Sequence, residues 1–214
     1  MGLTTEQLHG ALTELARREP RIAAAIDRAG LPASRISARG YTTLLRTIVG
    51  QQVSVQAADA MWRKLGAIVG TDYPLAALVD ASDEALREGG LSRQKAGYVR
   101  SLAGLVLSGE LDLDRLPADD EEAIALLTRV KGIGRWSAEI YLLFAEARLD
   151  IWPAGDLAVR IEVGHILGHD ARPSEKLTRD LADAWRPHRG AAAVFAWHHY
   201  GWRKAEDAGG KTPL

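Results

Sequence analysis

Apolar residues recur along most of this chain at three- and four-residue spacing, the period of a helix with one buried face. Leu8, Leu12 and Leu15 carry that spacing in TTEQLHGALTELARR, and Pro20 is expected to end the helix. RIAAAIDRAG closes at Gly30, a helix C-terminus signal. YTTLLRTIVG and SVQAADAMWRKLGAIVG predict two helices pinched at residues 50–52, with Ser54 capping the second. DEALREGG and SRQKAGYVRSLAGLVLSG make another pair, joined through Gly89, Gly90 and Leu91. Asp119 and Glu122 supply a D-x-x-E cap for DEEAIALLTRV. After Phe144 a loop, EARLDIWPAG, leads to Asp156, which opens LAVRIEVGHILG. Ser174 opens EKLTRDLADAW, and Pro187 separates that from HRGAAAVFAWHHYGW. No stretch alternates convincingly at period two, so the expected fold class is all-α. The tail EDAGGKTPL is expected to be loose.

Composition narrows the chemistry more than the fold. The 214 residues suffice for one large domain or two small interlocked ones. The formal net charge of −1 gives no hint of a nucleic-acid partner, so any basic face must be local. The absence of cysteine excludes disulfides, thiolate zinc sites, cysteine nucleophiles and thiolate-held iron–sulfur clusters. Residues 1–20 lack the apolar core of a signal peptide, and no apolar run approaches bilayer length. A cytoplasmic monomer with no membrane partner is the expectation, nucleoid-associated if the source is bacterial.

The segment RVKGIGRWSAEIYLLF interrupts a helical pattern with two glycines. Gly132 and Gly134 permit a tight reversal, because glycine tolerates positive φ. Ile133 can tuck between the flanking helices. The N–H groups after Gly134 open a helix and carry the positive end of its dipole, which suits an anion. Lys131 and Arg135 add charge on either side. Contacts of this kind grip a phosphate backbone without reading sequence. The same residues also describe a helix C-cap followed by another helix with no ligand, and a lone G-x-G does not separate the two.

Downstream residues separate them. VKGIGRWSA followed by WPAGD resembles the helix-hairpin-helix DNA glycosylases, whose signature is this hairpin, a Gly/Pro-rich loop and an aspartate. LLRTIVGQQVS before it and WRPHRGAAAVFAWHHYGW after it resemble the alkylbase branch, DNA-3-methyladenine glycosylase II. The resemblance runs from about Leu12 to Trp202 in the same order. It implies two interlocked helical lobes: residues 41–155 as a barrel-like lobe holding the hairpin motif at 120–144, and residues 1–40 with 156–214 as the second. An active-site cleft is expected between them.

Residue by residue, the resemblance implies that Asp156 is the catalytic aspartate. Trp136, Ile140 and Trp197 fall at the base pocket. Lys131, Gly132, Ile133, Gly134 and Arg135 fall at the DNA-binding hairpin. Gln52 falls where a side chain plugs the gap left by an extruded base, and Leu91 where a second wedge touches the opposite strand. The carbonyls of Thr128, Val130 and Ile133 fall where relatives hold a monovalent cation bridging to a DNA phosphate; no other cofactor is expected. Relatives that also cut the strand carry a lysine where Trp136 stands, so a monofunctional enzyme is implied. Some alkylbase relatives carry a tyrosine at the place of Ile140, which implies a wider or less aromatic pocket. Tyr141 should face away from it by about 100°.

The chemistery fits these residue types. A base inside a duplex must be flipped out before its glycosidic bond can be reached, which costs a few kcal/mol. Gln52 can fill the hole. N3- or N7-alkylated purines are cationic, and Trp136 and Trp197 can hold a cation on their faces. A cationic base leaves readily, so one carboxylate can stabilise the sugar cation or orient water where ordinary glycosides need two. Against this, Asp156 also suits a plain N-cap, and most of the six tryptophans must be structural. His165 and His169 have a zinc-compatible spacing but no HExxH pattern, and Gly168 weakens the helix there. His198 and His199 are expected at the surface or in support of other residues, not as ligands. Two other functions stay open: a glycosylase for deaminated or mispaired bases, and a non-catalytic DNA-binding protein that kept the hairpin. The partner in each case is double-stranded DNA, damaged where the protein is an enzyme.

Overall fold

The computed structural model describes residues 3–209, and all regular secondary structure among them is helical. The helices are α1 Thr5–Arg18, α2 Pro20–Ala29, α3 Tyr41–Gly50, α4 Val55–Val69, α5 Leu75–Asp80 and α6 Asp83–Glu88. They continue with α7 Arg93–Leu107, α8 Asp120–Leu127, α9 Arg135–Phe144, α10 Leu157–Leu167 and α11 Glu175–Leu181. A 3-10 turn, Ala182–Trp185, precedes α12, Arg189–Asp207. The expected tail falls partly in α12, and residues 210–214 lie outside the described residues.

The chain divides into two compact units, Met1–Ser37 with Leu142–Leu214, and Ala38–Tyr141. The first division is close to the expected one, but the second falls within α9 and not at residue 155. The reason is packing after Phe144. Asp150 takes both Arg189 Nε (2.9 Å) and Arg189 Nη2 (2.8 Å) at the start of α12. Trp152 meets Trp185 edge-on at 5.5 Å and donates its indole N–H to Thr178 O (3.1 Å). Gly190 N–H donates to Leu149 O at 2.8 Å, an approach so close that a Cβ on Gly190 would lie 2.6 Å from that oxygen. Residues 149–152 are thus anchored to α11, the 3-10 turn and α12.

In the terminal unit, α10 and α12 pack on each other, and both pack on α2; α1 packs on α2 and α12. The small residues Gly190 to Ala193 let α12 be buried over its first turns, with Phe195 below them in the core. Pro20 does end α1, and it also starts α2: Glu19 closes the first helix and caps the second, with proline at the first helical turn where its missing N–H costs nothing. In the other unit, α7 packs against α3, α5 and α6, around Leu44, Leu45, Ile48, Leu65, Leu78 and Leu102, all fully buried. Serines cap α4, α6, α7 and α11, and Asp119 caps α8, so the predicted starts at Ser54, Asp119 and Ser174 are realised as side-chain bonds to the third residue onward.

Candidate active site

In residues 38–141 the hairpin follows α8. Thr128 closes that helix, Val130 is fully buried, and Ile133 N–H donates to Val130 O at 3.0 Å. Ile133 is buried. The two glycines differ. Gly132 has φ 85°, and a Cβ there would fall 2.2 Å from the Tyr98 ring, so no other residue fits. Gly134 has no positive φ, and a Cβ there meets open space. The reversal therefore needs one glycine, and the second leaves an exposed, unobstructed backbone at the start of α9.

Lys131 is exposed beside this backbone, while its own N–H is held by Ser101 Oγ (3.1 Å). Arg135 departs from expectation. Its guanidinium is taken by Glu121 through Nη1 (2.8 Å) and Nη2 (2.5 Å), and by buried Glu139 through Nε (2.9 Å). The bonds to Glu121 push its pKa up from the ordinary guanidinium value against the effect of burial, with Glu139 adding to the rise. Two carboxylates compensate its charge, so it orders the hairpin more than it offers charge to a phosphate.

Gln51 and Gln52 act differently although adjacent. Gln51 Nε2 donates to Gly132 O (2.8 Å), tying the α3–α4 turn to the hairpin. Gln52 is exposed and has φ 55°, a left-handed conformation that costs a non-glycine residue about 1–2 kcal/mol. Strain of this kind is tolerated where a side chain must be aimed. Beside it lies a polar cavity of about 310 Å³ lined by both glutamines, Ser92, Gln94, Lys95 and Tyr98. Lys95 donates to Val49 O (2.7 Å), and burial lowers its pKa. Leu91 does not fit the wedge role: it is 2% exposed, packed into the core, with its N–H on Leu86 O. A side chain that is already buried cannot enter a duplex. Trp136 is 48% exposed and Ile140 is half-buried on α9. Tyr141 turns away into the core, where its hydroxyl accepts the Gly40 N–H at 2.9 Å.

The terminal unit brings Asp156 and Trp197 together. Asp156 caps α10: its Oδ1 accepts the Val159 N–H at 3.0 Å. The same oxygen accepts the Trp197 indole N–H at 3.1 Å. The cap and the catalytic expectation therefore describe one geometry, a carboxylate fixed by a helix N-terminus and by an indole 41 residues on. Trp197 also walls a cavity of about 360 Å³ with Phe144, Val194, Pro32, Arg35 and His198. Phe144 and Trp197 lie 5.8 Å apart at 34°, forming an aromatic corner. The sequence reading missed Phe144, which lies at the end of α9, and Arg35, which lies in irregular chain without a helical period to mark it.

Of the histidines, His169 lies beyond Gly168, which ends α10 in a left-handed cap, so the helical spacing with His165 is lost. Among the described residues no group of three or more His, Cys, Asp or Glu side chains could hold a metal. His198 Nε2 pairs with Ala29 O (2.8 Å). His199 is not at the surface: it is 3% exposed, with Nδ1 2.6 Å from Glu162 Oε2. The carbonyl set Thr128, Val130 and Ile133 offers hard oxygen donors, which suit an alkali cation. Val130 O already accepts the Ile133 N–H and retains a second lone pair, so the residues present fit such an ion.

A hairpin bounded by Gly132 in an all-helical frame, with a capping aspartate on the next helix, defines the class. The profile of the HhH-GPD superfamily of base excision DNA repair proteins matches residues 45–187, and this chain belongs to that superfamily. It is similar to DNA-3-methyladenine glycosylase 1 of Schizosaccharomyces pombe, 31% identical over 163 residues that span 73% of this chain and 71% of the relative. The crystal structure of a DNA-3-methyladenine glycosidase from Bacillus halodurans matches with TM-score 0.84 at 30% identity, over 92% of this chain and 91% of that one. A Schizosaccharomyces pombe 3-methyladenine DNA glycosylase in complex with abasic DNA matches with TM-score 0.74 at 26% identity, over 92% and 97% of the two chains. No helix among the described residues is long and apolar enough to cross a membrane.

Proposed function

We propose that the protein is a DNA glycosylase that extrudes alkylated purines of the 3-methyladenine and 7-methylguanine type and hydrolyses their N-glycosidic bond, starting base excision repair and leaving the strand intact. The observation that carries this reading is the Asp156 carboxylate, fixed through Oδ1 by Val159 N–H and by the indole of Trp197. Such preorganisation puts a negative charge where a sugar develops positive charge, at no reorganisation cost during reaction. The similarity to 3-methyladenine glycosylases supports the lesion class.

The roles of the other residues follow. The exposed backbone at Gly134 and the Lys131 ammonium take backbone phosphates, a contact without base preference and with strong salt dependence. Gln52, exposed on a left-handed backbone, fills the vacated stack. Trp197, bonded to Asp156, offers an aromatic face to a cationic base, and exposed Trp136 offers a face of its own. A monovalent cation would be held by the carbonyls of Thr128, Val130 and Ile133 and would supply positive charge toward a phosphate. Trp136 offers no amine for a Schiff base, which supports hydrolysis without lyase chemistry.

The test is to incubate a duplex carrying N-methylpurines with the protein. Free base should appear, and strand breaks should appear only after alkali. Release of deaminated but not methylated bases would move the lesion class, and breaks without alkali would end the monofunctional reading.

A further inference from the structure

Two carboxylates are buried among the described residues, and the reaction above uses neither: Glu139, which serves Arg135, and Glu162, which is 0% exposed. Glu162 sits in the apolar stripe of α10, between Val159 and Val163. A lone carboxylate there would be prohibitively costly, and it is fully engaged. Oε2 meets His199 Nδ1 at 2.6 Å; Oε1 accepts from Arg203 Nη2 at 2.9 Å and from Arg203 Nε at 3.2 Å. His199 and Arg203 are one turn apart on α12. The other ring nitrogen of His199 is buried with no partner, so Glu162 alone orients that ring by hydrogen bonding.

Apolar contact between α10 and α12 is non-directional, and the alanines of α12 offer few ridges to set register. The polar bonds do set it. Asp156 precedes α10 and Trp197 lies on α12, two residues before His199, so the catalytic hydrogen bond spans the same helix pair. We infer that Glu162, clasping His199 and Arg203, is a positioning residue: it fixes the register of α10 on α12 and thereby the hydrogen bond of Trp197 to Asp156. The inference deepens the glycosylase reading and rests on it for its kinetic consequence only.

The test uses Glu162→Leu, which keeps volume and apolar packing, and Glu162→Gln, which can still accept from Arg203. Removing one partner of a buried ion pair is destabilising, because His199 and Arg203 lose their acceptor, so each variant is first shown to be folded by denaturant titration. The first readout needs no activity. In protein labelled with nitrogen-15 at tryptophan, the indole resonances are recorded, and Trp197→Phe identifies the one from Trp197. Glu162→Leu should move that resonance toward lower frequency, as loss of a bond to a carboxylate does, and Glu162→Gln should move it less. The Trp152 indole, bonded to Thr178 O, should stay as internal reference.

The second readout is kinetic. Single-turnover excision by Glu162→Leu should fall roughly tenfold or more, since small misplacements of a reacting group carry losses of that size. Affinity for abasic duplex should stay within about twofold. In the Trp197→Phe background the same substitution should add little, because the bond it protects is already gone. A Trp197 resonance unmoved in folded variants, or rate losses that multiply, overturns the inference. If Glu162→Leu does not fold, unmoved resonances in Glu162→Gln and Arg203→Gln overturn it instead. If the wild type releases no base while the resonance moves, the clasp stands and the glycosylase reading falls.

Discussion

In the terminal unit the polar groups of interest are partly or fully buried and tied side chain to side chain: Asp156 to Trp197, and Glu162 to His199 and Arg203. In residues 38–141 they are exposed or belong to the backbone: Gln52 on a left-handed turn, the open chain at Gly134, Lys131 and a half-exposed Trp136. The first arrangement suits chemistry, where a charge must stay fixed while a bond breaks. The second suits gripping a polymer of repeating phosphates, where a surface must accept many registers. Two arginine pairs illustrate the contrast. Arg203 reaches into the core to a carboxylate with no exposure, whereas Arg135 lies 41% exposed across the hairpin, bridging Glu121 and Glu139.

If the division holds, substitutions in the two regions should fail in different ways. The largest effect is expected at Asp156→Asn. Asparagine can still accept from Val159 N–H and Trp197, so the protein should fold and bind abasic duplex normally. Single-turnover excision should drop by about two orders of magnitude or more. Near-normal excision would show that the fixed carboxylate is only a helix cap.

The hairpin glycines offer a sharper internal contrast. Gly132→Ala forces φ 85° on an L-residue and drives a Cβ into Tyr98, so denaturant titration should show a loss of about 2–4 kcal/mol. Gly134→Asp has room and should leave stability within about 0.5 kcal/mol, while DNA affinity falls at low salt. Leu91→Ala should likewise behave as a core deletion, costing about 2–5 kcal/mol. Its catalytic rate per folded molecule should be unchanged, which a true wedge residue would not allow.

Acid should find the terminal unit's weak point. Burial pushes the Glu162 carboxyl up, but the hydrogen bonds from His199 and Arg203 outweigh it and hold the group below its ordinary value. Its stabilising contribution is therefore present above the unfolded value of about 4.3 and is lost as pH falls through the lower folded value. The gap in Tm between wild type and Glu162→Gln should be steady near neutrality and shrink below about pH 4. The smallest effect is expected at Gln52→Gly: glycine relieves the left-handed strain, so stability should hold or rise by up to about 1 kcal/mol. Affinity for abasic duplex should nevertheless fall, and a rise in both would remove Gln52 from the interface.

Much of the molecule was legible along the chain because it depends on neighbours in sequence. Helical periodicity, serine and aspartate caps, the Gly132 turn and the exposed start of α9 are set within a few residues, and the expected starts at Ser54, Asp119, Asp156 and Ser174 are helix caps in the structure. What tertiary structure decided is which side chains meet across long separations. Leu91 reads the same whether it points to solvent or to the core, and the fold leaves it 2% exposed. Arg135 counts as a positive charge in sequence, and only Glu121, on another helix, and Glu139 reveal it as compensated. Residues 142–155 read as the end of one lobe until Arg189, Thr178 and Trp185 claim them for the other. Glu162 and His199 lie 37 residues apart, and no local pattern links them. Caps and turns are satisfied by the nearest backbone, so sequence declares them; a buried charge is satisfied by whatever the fold brings to it, so only the fold can.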